Sequence, residues 1–191
     1  MEQVRWGIIG CGDVTEKKSG PGFQKATGSE LVAVMRRNAE KAADYAQRHG
    51  VPRWYDDAGA LINDKEVDAV YIATHPDSHR DYARRVIAAG KPVYIEKPMG
   101  FDQQHAEDIV AAGRESGVPV FVAYYRRAME KYVRVKELLD QGTIGAIRFV
   151  RVLVQQRSTV RASAEIPWRL RGERSGGGLI MDVGSHGLDL L

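Results

Sequence analysis

The amino-acid sequence predicts an α/β chain. Residues 1–124 read as a doubly wound parallel sheet, and residues 125–191 as the start of an α+β domain with an open, largely antiparallel sheet. Three observations lead there. Short, near-continuous apolar runs alternate with amphipathic stretches from the first residues, the runs end in glycine, proline or polar turns, and after Tyr124 one long segment of roughly period-two hydrophobicity takes over.

The first strand is "VRWGIIG", Val4 to Gly10, an apolar run ending in glycine. "ELVAVMRR", Glu30 to Arg37, is the second, and Asn38 is placed to cap the helix "AEKAADYAQRH", which Gly50 ends. "VDAVYIAT", Val67 to Thr74, is the next, with "SHRDYARRVIAAG" as its helix. After the turn-favouring Lys91-Pro92, "PVYIE" is again a strand, Asp102 caps a helix through "AEDIVAAGRESG", and "VPVFVAY", Val118 to Tyr124, closes the series. Apolar strands separated by amphipathic helices imply a sheet covered on both faces. Beyond "RAMEKYVRVKELLDQG", the segment "AIRFVRVLVQQRS", Ala146 to Ser158, alternates as in a sheet with one wet face. A polar loop follows, and "GGGLIMDVGSHGLDLL" starts like a helix and reaches Leu191 without a polar cap or glycine stop.

Composition narrows the class. With 191 residues, 43% hydrophobic and 28% charged, the chain can bury a substantial core and is not disordered. No apolar run approaches the ~20 residues that span a bilayer, and "EQVRWGIIG" after Met1 is no signal sequence, so the expectation is a cytoplasmic protein without membrane partners. Cys11 is the only cysteine, which rules out an intrachain disulfide. The net charge is +3, and seven arginines between Gly145 and Arg174 stand against Glu165 and Glu173. Only Phe149 and Trp168 accompany them as aromatic platforms, so this is an arginine-rich strand and loop rather than a nucleic-acid surface.

Four places carry chemistry. "GIIGCGDVT" puts Gly10 and Gly12 between the first strand and the first helix, where backbone N–H groups of Asp13 and Val14 can approach a pyrophosphate; Thr15 replaces the third glycine of GxGxxG. A lone GxG is equally a plain tight turn. "ATHPDSH", Ala73 to His79, brings Thr74, His75 and Pro76 to a carboxyl strand end, the edge where an open α/β sheet binds its ligand. "EKP" sets Glu96, Lys97 and Pro98 at another such end, where two charges and a proline are poor packing choices, though a surface ion pair would also explain them. In "GGGLIMDVGSHGLDLL", Asp182 and His186 are four apart and share one helical face, a spacing that also fits a solvated pair.

Together the N-terminal GxG turn, the TxPxxxH-like turn, "EKP" and the pattern GGGxxxDxGxHxxD, completed by Asp189, resemble the Gfo/Idh/MocA oxidoreductases over the whole chain. His75 stands where that family usually has proline directly after Thr or Ser. The resemblance implies a Rossmann domain followed by an α/β domain on a large open sheet, and nicotinamide-dependent oxidation or reduction of a sugar, inositol or related alcohol. It implies no metal ion. The family's second domain runs on well beyond this helix, so the chain is expected to be a fragment, with a homo-oligomer formed by the full-length protein.

The resemblance places the nicotinamide at the "EKP" edge. Lys97 would then present its ammonium to the substrate oxygen, with Glu96 orienting it. His186 would move the hydroxyl proton and Asp182 would hold substrate or lysine. Cofactor contacts are expected from Gly10, Gly12, Asp13, Val14, Thr74, His75, Pro76, His79, Glu96 and Lys97. Tyr124, Arg126, Trp168 and Arg169 are expected to touch the substrate, while His49 and His105 read as surface residues. Arg36, Arg37 and Asn38 stand where an NAD-selecting protein carries an acid, which predicts NADP(H), with NAD(H) as the second possibility. The competing class is a non-catalytic dinucleotide sensor of the same fold, which has no need of Lys97, Asp182 and His186 together.

Overall fold

The computed structural model describes residues 3–155 and 171–191. The chain divides into two compact units, Met1–Ala123 and Tyr124–Leu191.

In the first unit a six-stranded, all-parallel sheet is built from β1 (Val4–Ile9), β2 (Ser29–Met35), β3 (Arg53–Tyr55), β4 (Ala69–Ile72), β5 (Val93–Ile95) and β6 (Val120–Val122), in the order β3-β2-β1-β4-β5-β6. This is the doubly wound order, in which the strand sequence reverses between β1 and β4. The helices are α1 (Asp13–Lys17), α2 (Ser19–Lys25), α3 (Ala39–His49), α4 (Ala58–Asn63), α5 (Pro76–Ala88) and α6 (Gln103–Ser116).

Successive strand residues point to opposite faces, and both faces are dry. Ile9, Val70, Ile72 and Ile95 pack with Leu61 and Ile62 of α4, Val86 and Ile87 of α5 and Ile109 of α6. On the other face Ile8, Val34 and Tyr71 pack with Tyr45 and Ala46 of α3. Each fully buried aliphatic side chain contributes about 1.5–3 kcal/mol of transfer free energy, which is why the central strands read as unbroken apolar runs. The helix starts are fixed by short acceptors: Asn38, Asp57 and Asp102 accept backbone N–H bonds from Lys41, Ala60 and His105 at 2.9, 2.9 and 2.8 Å. Gly50 ends α3 at φ 64°, as its left-handed cap requires.

β3 and α4 escape the sequence reading for a physical reason. Arg-Trp-Tyr is three residues long at the sheet edge, and Trp54 remains 45% exposed, so no apolar run marks it.

The second unit contains a 3₁₀ turn (Tyr125–Ala128), α7 (Glu130–Asp140), α8 (Gly172–Ser175), a π-helical turn (Ile180–Gly184) and α9 (Ser185–Asp189). Among the described residues no strand follows Val122, and the expected strand at 146–155 pairs with nothing. Its apolar side chains are exposed, Phe149 at 80% and Leu153 at 73%. A strand takes its stability from a ladder and a covered face, and here it has neither. The open antiparallel sheet expected for this unit is therefore not shown. Among the described residues no helix is long and apolar enough to cross a membrane.

Candidate active site

Register aligns the carboxyl ends of the central strands. Ile9 pairs with Ile72, Ile72 with Ile95 and Ile95 with Val122. Amides just past these ends continue the ladder, with Ala73 N–H bonded to Ile9, Glu96 N–H to Ile72 and Ala123 N–H to Ile95, at 2.8–2.9 Å. The residues that follow each strand therefore sit at one edge: Gly10–Gly12 after β1, Arg36 after β2, Thr74–His75 after β4 and Glu96–Lys97 after β5.

At the first of these ends Gly10 adopts φ 95°, and a Cβ there would come within 2.7 Å of the Thr74 methyl. Only glycine fits both the conformation and the approach. Gly10 and Cys11 N–H groups both bond the Met35 carbonyl. Thr15, in the place of a third glycine, is fully buried and closes a reciprocal cap: its hydroxyl donates to the Gly12 carbonyl at 2.8 Å and accepts the Gly12 N–H at 2.9 Å. The first-turn amides of Asp13 and Val14 have no intrahelical acceptor. A Cβ on Gly12 would meet only the Gly10 carbonyl oxygen, at 3.9 Å, so open space lies beside those amides, of the kind a pyrophosphate requires. Arg36 Nη1 donates to the Cys11 carbonyl at 3.2 Å, Arg37 is exposed, and the Asn38 side chain serves as the cap of α3. Burial pushes the Cys11 thiol up to about 11.

At the β4 end Pro76 opens α5 with His75 as its N-cap residue, and the Ser78 hydroxyl donates towards the Thr74 hydroxyl at 2.8 Å and the His75 carbonyl at 2.9 Å. His79 is fully buried, with Nδ1 3.0 Å from the Pro98 carbonyl and Nε2 3.1 Å from the Thr74 carbonyl. Its ring ties the Thr74 turn to the Lys97 turn through contacts within the chain. The Lys97–Pro98 peptide bond is cis. Glu96 accepts the Tyr71 hydroxyl on Oε1 at 2.6 Å and the Lys97 N–H on Oε2 at 3.1 Å.

In the second unit His186 is buried, its ring met edge-on by Tyr124 (5.9 Å between centroids, 81°) and Tyr125 (5.2 Å, 76°). Burial raises the Tyr124 phenol above its ordinary value. Asp182 and His186 are joined by the π-helical turn, in which the Ser185 N–H bonds the Ile180 carbonyl five residues back. The sequence reading has an α-helix there; the wider π turn interrupts it, a departure that often marks functional helices. The Asp189 carboxylate is 95% buried and is gripped by Arg127, with Nε–Oδ2 at 3.0 Å, a bond from Nη2 to the Asp189 carbonyl at 3.2 Å and a further close Nη2–Oδ1 contact. Arg126, singled out from the sequence, is half-buried, whereas its neighbour Arg127 makes this contact. Trp168 and Arg169 lie outside the described residues.

Sequence reasoning also missed the partners of His49, read as a surface residue. Glu16 of α1 binds Arg48 at 2.7 Å and His49 at 2.7 Å, and the His49 ring stacks on Tyr45 at 4.2 Å. Arg48, then His49, holds the Glu16 carboxyl at about 2. The only signal for this cluster is the Arg48-His49 pair at a helix end, which chain order leaves 32 residues from Glu16.

Residues 4–124 match the family described as "Oxidoreductase family, NAD-binding Rossmann fold", and residues 132–191 match "GFO/IDH/MocA C-terminal domain". An oxidoreductase of Formosa agariphila is 47% identical over 191 residues, covering 99% of this chain and 60% of that protein. The 1,5-anhydro-D-fructose reductase of Ensifer adhaerens is 32% identical, covering 98% of this chain and 55% of that protein. The crystal structure of a 3-ketoreductase from Actinomadura kijaniata in complex with TDP-benzene and NADP superposes with a TM-score of 0.70 at 30% identity, over 77% of this chain and 46% of that one. The chain thus spans about half to three-fifths of the length of these proteins. Matched in order through both units, it belongs to the Gfo/Idh/MocA oxidoreductase family.

Proposed function

We propose that the protein transfers a hydride between NADP(H) and the secondary alcohol or ketone of a sugar, polyol, inositol or cyclic diol, with NAD(H) the weaker cofactor. Residues 1–124 serve as the dinucleotide-binding domain and 125–191 begin the substrate and oligomerisation domain of a cytoplasmic homo-oligomer. The observation that carries the reading is the gathering of the Gly10–Gly12 turn, Arg36, the Thr74 turn and Glu96–Lys97 at one carboxyl edge of a sheet ordered β3-β2-β1-β4-β5-β6. The Actinomadura kijaniata relative, in complex with NADP, supports the choice of cofactor and of a keto-sugar-like substrate.

The glycine turn and the amides of Asp13 and Val14 receive the pyrophosphate, Arg36 and Arg37 the 2′-phosphate, and the edges after β4 and β5 the ring. When bound, the nicotinamide supplies the hydride acceptor or donor. In the oxidative direction the carbinol carbon gives up hydrogen with its electron pair, and the hydroxyl proton passes to an imidazole nitrogen of His186. The Lys97 ammonium donates a hydrogen bond to the same oxygen, stabilising the alkoxide character that develops as hydride departs. Asp182 holds substrate or lysine in line, and Tyr124 and Arg126, with Trp168 and Arg169, contact the substrate hydroxyls.

An assay of the intact protein with NADPH and a panel of keto-sugars, inosose and cyclic hydroxyketones tests this. Substrate-dependent loss of NADPH absorbance is the expected result. Tight NADPH binding with no turnover across the panel would overturn it in favour of a dinucleotide sensor.

A further inference from the structure

Tyr71 is 1% exposed, in the middle of the apolar strand β4, with its ring held by Phe23 at 5.0 Å and Tyr94 at 5.4 Å. Phenylalanine would fill this place as well, and burying a phenol hydroxyl costs free energy unless it finds a partner. Its partner is a residue of the catalytic turn: the hydroxyl lies 2.6 Å from Glu96 Oε1, in the range of charge-assisted O–H···O⁻ bonds. Burial and the Glu96 charge both raise the phenol's pKa above the ordinary tyrosine value, so it remains a donor at working pH. Held there, Glu96 turns its other oxygen to the Lys97 N–H at 3.1 Å, and on the far side of Lys97 the Pro98 carbonyl lies 3.0 Å from His79 Nδ1.

We propose that Tyr71 is a positioning residue of the active site, its buried hydroxyl locking the Glu96 carboxylate that fixes the backbone at Lys97. The proposal rests on the oxidoreductase reading above for its effect on turnover, but the arrangement itself can be tested without it. A carboxylate released from Tyr71 no longer holds the Lys97 N–H in one place, and the backbone that carries the ammonium loses that restraint. Turnover would then fall through misplacement of the ammonium while cofactor binding, which does not use Tyr71, is kept.

The test is a double-mutant cycle of Tyr71→Phe and Glu96→Ala in the intact protein, with Tyr94→Phe as a control that removes a hydroxyl from the ring beside it. Two quantities are read: kcat with NADPH, and the rate at which acetic anhydride acylates Lys97, followed by peptide mass spectrometry. Tyr71→Phe is expected to lower kcat about tenfold with NADPH affinity within about twofold, and to change the rate of Lys97 acylation about threefold. In the Glu96→Ala background the same change alters either quantity less than about twofold, and Tyr94→Phe behaves as the parent. Acylation unchanged by Tyr71→Phe, or effects that add across the cycle, would overturn the proposal. A non-additive acylation cycle in a protein with no turnover would instead uphold the positioning role and reject the oxidoreductase reading.

Discussion

The Arg36 guanidinium donates to the carbonyl oxygen of Cys11 across 3.2 Å, so the cation that follows β2 rests against the turn that follows β1. A guanidinium has five N–H donors, and this bond uses one of them. An acidic residue at this strand end would repel a 2′-phosphate, which a guanidinium attracts. Replacing Arg36 and Arg37 together with alanine is expected to weaken NADPH binding about 10–100-fold and NADH binding by less than about threefold. Fluorescence titration of parent and variant with both reduced cofactors checks this, and equal affinities in the parent would show that the strand end does not select the phosphate.

His79 makes stability depend on pH. A neutral imidazole donates to only one of the two carbonyls it faces, and burial disfavours the cation, drawing the pKa below the ordinary 6.5. Between that lowered value and 6.5 the unfolded chain binds more protons than the folded one, so stability rises with pH and is lost as pH falls from 6.5. The thermal midpoint is expected to drop between about pH 7 and about pH 5.5, and His79→Gln should lower the midpoint at neutral pH while flattening the slope. An unchanged slope in the variant would assign the dependence to other groups.

Arg127 neutralises a carboxylate that is 5% exposed, while its own side chain is 64% exposed. Removing it leaves Asp189 buried and charged. Arg127→Ala should lower the thermal midpoint, by less than loss of a partner from a fully buried pair would, because water reaches the guanidinium. Adding Asp189→Leu should recover part of the loss, since an apolar side chain does not need the cation. Arg126→Ala, by contrast, should leave the thermal midpoint nearly unchanged and raise KM for the substrate.

Much of the first unit is legible in the sequence because its signals are local. Strands buried on both faces show as apolar runs, Asn38 and Asp102 announce the helices they cap, and Gly10 is demanded by a left-handed turn. What is not legible depends on register and on chain-distant neighbours. Tyr71 looks like one more strand former until pairing with β5 aims its hydroxyl at Glu96, 25 residues on. His79 belongs to a motif that suggests a ligand contact, yet α5 turns it inward on to two carbonyls. Arg126 and Arg127 are indistinguishable as letters, and only the 3₁₀ turn decides which one meets Asp189. The segment 146–155 shows the opposite failure: alternation is a preference that becomes a strand only where a partner strand completes the ladder.

The central claim, that the Lys97 ammonium stabilises the substrate oxygen during hydride transfer, is tested most directly by Lys97→Met in the intact protein. Methionine keeps the length and apolar stem of lysine and removes the charge. With whichever substrate of the panel turns over, kcat is expected to fall at least about 100-fold while the NADPH dissociation constant stays within about threefold. Turnover equal to that of the parent would contradict the assignment of Lys97, and with it this account of the site.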